Sequence, residues 1–298
     1  MPDAAAPTDA STAAPDGLWY VAAIARQVRA GSEHAEPVFG RTLRLTRDAQ
    51  GIVIDASPEP ITVQESEGLI WAWLAGPEGE APPCGPPVFN GPGGQVRFVE
   101  EALLPGPYDD AVYGLLDPAH GPYVHASPLW RSSRTLREKA KEYVPSPMGF
   151  TMLAHEPKNS AAYKLIGGGV QVEIGFQLPA LRSEWISNRS NTVLGLTALT
   201  PVDAHSTRIR QIFYWRSPML SLVSPFVRPF TRSFLQQDVH IMTLRQRAAP
   251  WRLREMLIRD GDQLFIWYRR MKAEWARARA TGEAFENPVR AATLRWRT

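Results

Sequence analysis

A strict alternation of apolar and polar residues between Val170 and Leu178 constrains the fold of this chain more than any other feature. Apolar side chains occupy every second position there, which is the pattern of a strand with one buried face. Further strand-like segments follow at residues 184–186, 192–199 and 208–215. Polar segments that are typical of turns separate them at residues 188–191 and 203–206. This region therefore predicts an antiparallel meander.

Two helical segments follow the predicted strands. The first carries Leu235, Val239 and Met242 on one stripe, with Asp238 at the edge of that stripe. The second extends from about residue 252 to residue 280. Consecutive strands followed by helices predict an α+β fold rather than alternating βαβ units.

The segment Asp117–His125 contains two histidines five residues apart, with a carboxylate three residues before the first. This spacing does not place His120 and His125 on one face of a straight helix. Because Pro122 disfavours a helical conformation at the residue before it, we expect a helix bearing Asp117 and His120 to end there. The next residues would then bring His125 back, and two neutral imidazoles could bind a divalent metal. A helix end with two hydrogen-bonded histidines explains the same residues.

Asp238 is the candidate third ligand. An ionised carboxylate beside a buried stripe is costly unless a cation or hydrogen bonds compensate for its burial. A metal would do so, because two histidines and one carboxylate bind iron in non-haem Fe(II) oxygenases. An ion pair with Arg232 or Arg245 is the alternative.

Together these segments resemble the alpha subunits of Rieske-type non-haem iron oxygenases, in the branch that includes vanillate demethylase and pheophorbide oxygenase. The resemblance is strongest in residues 117–125, in residues 141–150 and around Asp238. It implies an α+β helix-grip domain similar to START and Bet v 1 proteins, with a curved antiparallel sheet and a long C-terminal helix. It also implies that His120, His125 and Asp238 bind Fe(II), that Asp117 is a catalytic carboxylate linking iron to its electron source, and that subunits form trimers.

The sequence departs from this family at the iron–sulfur cluster. A Rieske [2Fe–2S] centre needs two cysteines and two histidines, whereas this chain has one cysteine, Cys84. Where relatives carry the cluster-binding lobe, residues 42–45 and 52–54 read as a short hairpin. We therefore expect no [2Fe–2S] cluster in this chain. Electrons would come from a Rieske-bearing partner, a ferredoxin or a reductase.

Composition and charge reduce the number of functional classes that the chain could belong to. The formal charge of +3 comes without a dense basic run, which argues against nucleic-acid binding. No apolar run approaches the roughly 20 residues of a membrane span, and a single cysteine fits a reducing cytoplasm. We expect a disordered tail at residues 1–17, a reduced β domain at residues 18–95 and a catalytic domain at residues 96–298.

The function expected from these features is that of a mononuclear Fe(II) oxygenase subunit. It would use O2 to hydroxylate, or to O- or N-dealkylate, an aromatic or apolar small molecule held between the sheet and the C-terminal helix. The subunit would belong to a homo- or hetero-trimer. Two alternatives stay open: a non-catalytic paralogue assembled with a full-length Rieske oxygenase, and a metal-free protein that binds hydrophobic ligands.

Overall fold

The computed structural model describes residues 13–76, 79–125, 138–157, 168–251 and 256–297. Its strands are β1 (Leu18–Ile24), β2 (His34–Val38), β3 (Arg41–Arg47), β4 (Val53–Asp55), β5 (Val63–Ser66), β6 (Leu69–Leu74), β7 (Phe98–Pro105), β8 (Glu138–Ser146), β9 (Gly149–His155), β10 (Gln171–Gln177), β11 (Leu181–Ser187), β12 (Thr192–Asp203), β13 (Ser206–Trp215) and β14 (Ala292–Arg297). Its α-helices are α1 (Tyr108–Leu116), α2 (Gly121–Val124), α3 (Pro218–Ala248) and α4 (Gln263–Thr281). Residues 1–12 of the predicted tail lie outside the described residues.

Two small antiparallel sheets form the N-terminal part of the fold. One has the order β1-β6-β5 and the other the order β2-β3-β4. The predicted hairpin is confirmed, since β3 pairs with β4 in antiparallel register. The carboxylate of Asp48 closes its turn by accepting hydrogen bonds from the N–H groups of Gln50 at 2.9 Å and Ile52 at 2.8 Å. Cys84 lies exposed in the irregular segment after β6.

A large antiparallel sheet forms the rest of the fold, in the order β14-β8-β9-β10-β11-β12-β13-β7. Its strands β10 to β13 confirm the predicted meander, with longer bounds than the sequence indicated. The carboxamide of Asn188 and the carboxylate of Asp203 close two of its turns. Together with the long C-terminal helix, this sheet confirms the predicted α+β class.

The main core lies between this sheet and the helices. In α4, Tyr268 and Met271 are fully buried, because they face the sheet. The helix begins at Gln263 rather than near residue 252, so the predicted start was wrong. Asp260 adopts a left-handed conformation, with φ of 63°, which interrupts any helix before this point. Residues 252–255 lie outside the described residues.

A buried ion-pair cluster connects the N-terminal sheets to the large sheet. The guanidinium of Arg210 in β13 is 1% exposed and lies 2.7 Å from the carboxylate of Glu36 in β2. It also donates to Glu101 in β7 at 3.0 Å and to the carbonyl of Val21 in β1 at 2.9 Å. A guanidinium in this position needs all these acceptors, because burial without them would be very costly.

Candidate metal centre

Helix α1 ends earlier than the sequence indicated, and this places Asp117 outside it. The last helical hydrogen bond runs from the N–H of Asp117 to the carbonyl of Tyr113, and Asp117 itself is extended, with ψ of 108°. Pro118 explains this end, because a proline disfavours the helical conformation of the residue before it. Pro122 was expected to end a helix, and this prediction was wrong. It lies in the first turn of α2, where its missing N–H leaves no helical bond unmade.

The turn between α1 and α2 holds His120 through the main chain. The Nδ1–H group of His120 donates to the carbonyl of Asp117. The Asp117 carboxylate turns back and accepts a hydrogen bond from the N–H of Ala119 at 2.7 Å. A carbonyl oxygen only accepts, so Nδ1 carries the proton and the lone pair of the ring is on Nε2. His120 is thus oriented by the peptide carbonyl of Asp117, not by its side chain.

His125 follows α2 and is 1% exposed. Its Nδ1 lies 3.1 Å from Oε1 of Gln237 in α3, and this amide oxygen accepts the Nδ1 proton. The ring of Phe234 stacks on the imidazole with 3.4 Å between ring centroids. Burial first, and the nearby His120 second, lower the pKa of His125 to about 4, although the hydrogen bond to Gln237 opposes the shift. At neutral pH the ring is therefore neutral, with its lone pair on Nε2.

Asp238 lies on α3 beside the buried stripe that the sequence indicated. Leu235 and Met242 of this stripe are buried. Neither candidate arginine is an ion-pair partner of Asp238 among the described residues, because Arg232 lies 3.0 Å from Glu100 and Arg245 lies 2.8 Å from Asp110. Burial raises the pKa of Asp238 to about 7. Within the described part of the chain, no lysine or arginine forms an ion pair with this carboxylate.

The structure brings His120, His125 and Asp238 together. One ligand atom from each residue lies within 4.8 Å of the others. Nε2 of His125 is 3.4 Å from Oδ1 of Asp238. Two ligands bound at about 2.0–2.2 Å to a first-row divalent metal, at angles of about 90–110°, lie about 2.8–3.6 Å apart. This separation therefore suits two ligands of one ion.

The residues fit a metal on a further observation. Nε2 of His125 is buried and makes no hydrogen bond within the described residues. Buried polar atoms are rarely left without a partner. Both imidazoles are held with Nδ1 protonated, and hydrogen bonds of this kind fix histidine ligands in many metal sites. Two neutral imidazoles and one carboxylate form the donor set that suits Fe(II).

A second contact links the segments that carry these ligands. Asp110, in the first turn of α1, accepts hydrogen bonds from Arg245 and Gln246 of α3, each at 2.8 Å. Because α1 leads directly to His120 and α3 carries Asp238, this contact fixes the two segments relative to each other.

Aromatic side chains pack together in the expected apolar space between the sheet and the C-terminal helix. Phe150 lies 5.3 Å from both Phe176 and Trp267, and Tyr143 lies 5.9 Å from Trp267 (ring centroids). Cavities of about 530 Å³, beside β4 and β5, and about 420 Å³, beside α3, occur elsewhere in the described residues. Neither is lined by a residue of the His–His–Asp group.

Sequence reasoning missed Gln237 and Phe234. Phe234 is one helical turn before Asp238, and Gln237 directly precedes Asp238 in the chain. Their shared partner, His125, is 112 residues from Gln237 in the chain. Local periodicity carries no signal for such a contact.

Comparison with known families shows the family to which the chain belongs. Residues 114–278, more than half of the chain, match the family described as the vanillate O-demethylase oxygenase C-terminal domain. The chain belongs to this family. The matched region contains His120, His125 and Asp238. The sequence resemblance to Rieske-type oxygenase alpha subunits is thereby confirmed.

Solved structures share the fold of this family member. Dicamba monooxygenase bound to dicamba is 14% identical with a TM-score of 0.64, over 89% of this chain and 98% of that one. The terminal oxygenase of carbazole 1,9a-dioxygenase from Nocardioides aromaticivorans IC177 is 14% identical with a TM-score of 0.61. This match covers 89% of the present chain and 95% of the oxygenase. The NdmA mutant of Pseudomonas putida CBB5 with theobromine is 13% identical with a TM-score of 0.58. This match covers 89% of the present chain and 92% of NdmA.

Two further searches gave negative results. No curated protein sequence matches the chain significantly. Among the described residues, no helix combines the length and apolar character needed to cross a membrane.

Proposed function

We propose that this chain is the catalytic subunit of a mononuclear non-haem Fe(II) oxygenase. It would hydroxylate, or O- or N-dealkylate, an aromatic or largely apolar small molecule with O2 in the cytoplasm. Residues 96–298 would form the catalytic domain, and residues 18–95 a reduced β domain. Membership of the vanillate O-demethylase oxygenase family supports an oxygenase, and the His–His–Asp group supports iron.

One observation carries the proposal. The buried Nε2 of His125 has no hydrogen-bond partner among the described residues and faces the Asp238 carboxylate 3.4 Å away. In the same part of the chain, no arginine forms an ion pair with this carboxylate. A cation between them would satisfy the lone pair and compensate for the burial of Asp238. A purely structural histidine in this position would instead have an acceptor or donor at Nε2.

The protein residues would each perform a distinct task. His120, His125 and Asp238 would hold Fe(II), which when bound would supply the centre for dioxygen binding and activation. Gln237 and the carbonyl of Asp117 keep a proton on Nδ1 of each histidine. Phe234 covers one face of His125, which excludes water from that side. These contacts hold the donor atoms in place before a metal arrives.

Electrons would have to come from outside the chain. A single cysteine cannot provide the two thiolates of a Rieske [2Fe–2S] centre. We therefore propose a Rieske-bearing subunit, a ferredoxin or a reductase as donor, and a homo- or hetero-trimer as the assembly. A solved complex of a carbazole-bound oxygenase of the same fold with ferredoxin supports this type of partner.

Small aromatic molecules are the substrate class that we propose. Structures of the same fold contain dicamba, carbazole or theobromine, and dicamba monooxygenase also contains non-haem iron.

The test is the metal content of anaerobically purified protein, with an EPR spectrum of its nitric oxide adduct. We expect equimolar Fe(II) and a nitrosyl signal in the wild type, and loss of both in Asp238→Ala. His240→Ala is the matched control, because His240 lies two residues later on the same helix and is exposed. Near-UV circular dichroism would establish that both variants are folded. A folded wild type that takes up no Fe(II) on reconstitution would contradict the proposal.

A non-catalytic role is the second candidate function. The aromatic side chains that pack together between the sheet and α4 favour it, because a subunit that only completes an assembly needs no substrate cavity there. In that case, Asp238→Ala would leave the activity of a complex with a full-length Rieske oxygenase unchanged.

A further inference from the structure

The ring of Phe234 lies directly on the imidazole of His125, one of the three candidate metal ligands. The two ring centroids are 3.4 Å apart, and the ring planes differ by 16°. Phe234 precedes Asp238 by four residues, so both side chains lie on the same face of α3. In the described part of the chain, no other aromatic side chain outside the ligand set makes a ring contact with His120 or His125. Phe234 is therefore the aromatic ring that adjoins the candidate metal centre.

The stacking of the two rings fixes how far Phe234 is from an ion in this centre. A metal at about 2.0–2.2 Å from Nε2 of His125 would lie in the imidazole plane, about 3.2 Å from the centroid of that ring. The centroid of Phe234 lies above the same ring at 3.4 Å, nearly at right angles to this direction. Together, the two distances put the Phe234 ring about 4–5 Å from the ion. A small molecule bound to the ion could therefore reach the ring, since reacting atoms need to be about 3–3.5 Å apart.

The side chain of Phe234 belongs to the substrate class proposed above. It is a benzene ring without a polar group, and the chain itself holds it beside the centre. A reactant held in this way has an effective concentration far above that of a free molecule in solution. When no substrate is bound, Phe234 is the aromatic group that the described residues offer to the centre.

We propose that Phe234 is a site of self-hydroxylation, which takes place when dioxygen and electrons reach the centre without a substrate. The inference rests on the proposed oxygenase function. In the reaction the O–O bond of dioxygen breaks, one oxygen atom forms a C–O bond with the ring, and the other oxygen atom leaves as water. Two electrons from an external reductant and two protons from water complete the balance. The product carries a hydroxyl group on the ring at position 234.

The test uses the full-length protein, loaded anaerobically with Fe(II) and then given ascorbate, a two-electron reductant, and isotopically labelled dioxygen. We expect one labelled oxygen atom in the peptide Ser233–Arg245, which trypsin releases. Fragment ions must assign this atom to Phe234, because Met242 in the same peptide can also be oxidised. Protein loaded with Zn(II), which has no redox chemistry, should stay unmodified.

Two single substitutions test whether the position on the helix decides the reaction. Phe234→Leu should lose the modification of this peptide. Phe230→Leu is the matched control, because Phe230 lies one turn earlier on α3 and is 59% exposed, and it should keep the modification at the wild-type level. The nitrosyl EPR signal of each variant reports whether iron is bound.

A second measurement tests the geometry without any turnover. Protein made with ring-deuterated phenylalanine is studied by pulsed EPR of its nitrosyl adduct, in which deuterium couplings fall steeply with distance from the metal. We expect a strong coupling in the wild type and in Phe230→Leu. In Phe234→Leu the coupling should be lost or much weaker.

Two results would overturn this proposal alone: an iron-loaded wild type in which Phe234 stays unmodified, and an iron-loaded wild type without the deuterium coupling. Equal modification of Phe234 in the protein loaded with Zn(II) would also overturn it, because the oxidation would then not come from the iron centre. A wild type that takes up no iron would overturn the oxygenase proposal and this one together. Failure of the one is thus distinguishable from failure of the other.

Discussion

Replacing Asp238 by Asn should stabilise the iron-free protein at neutral pH but not near pH 4. Burial raises the pKa of Asp238 from 3.8 to about 7. Between these values the folded state binds a proton that the unfolded state has released, so stability is lost as the pH rises. At about 1.4 kcal/mol for each pKa unit, the ionised carboxylate destabilises the fold by up to about 4 kcal/mol above pH 7. Asn has nearly the same shape and does not titrate.

The assay is urea denaturation of both proteins in a chelator at about pH 4, 6 and 8. The side chain of Asp238 is 21% exposed, so residual solvent should reduce the gain to about 2–4 kcal/mol at pH 8. Asp203→Asn is the control, because backbone hydrogen bonds from His205 lower the pKa of Asp203 and give the opposite sign. A difference between wild type and Asp238→Asn that stays constant across this pH range would refute the reasoning.

Three further substitutions test other contacts. Gln237→Leu removes the acceptor for Nδ1–H of His125 and should weaken Fe(II) binding about 10- to 100-fold in a chelator competition, with Gln237→Glu close to wild type. Asp110→Asn weakens the contact between α1 and α3 and should lower the free energy of unfolding by about 1–3 kcal/mol in urea; an unchanged midpoint would contradict this. Arg210→Met should cost about 3–5 kcal/mol. Adding Glu36→Gln should recover part of the loss, because the buried Glu36 would otherwise stay ionised with Arg208, at 3.1 Å, as its one remaining arginine partner. The prediction would be wrong if the effects of the two substitutions on the free energy of unfolding simply added up.

The strands that the sequence predicted contain apolar residues that the fold buries. The alternation in β10 follows from burial of one face, so it was visible without the structure. Of the strands that were missed, β2 and β5 lie at sheet edges. Pro37 lies within β2, and prolines in sheets occur mainly in edge strands. Because β5 is polar and largely exposed, it has no apolar pattern to detect.

The candidate site was predictable in its residues but not in its local geometry. Two histidines, a helix break and a carboxylate beside an apolar stripe pointed to His120, His125 and Asp238. The position of the break depended on Pro118 rather than Pro122, because a proline in the first turn of a helix is harmless. Which atoms hold each ring depends on contacts between distant segments, which periodicity does not contain.

The main-chain carbonyl that holds His120 has a consequence for mutagenesis. Side-chain replacement at position 117 leaves a peptide oxygen in place, so an alanine scan would not reveal the group that orients this ring. What sets the direction of that oxygen is the conformation of the turn, which the proline at 118 restricts. The orientation of the His120 ring therefore depends on residues of the turn that are not metal ligands. Exchanging Pro118 for glycine would loosen the ring without altering a single donor in the site.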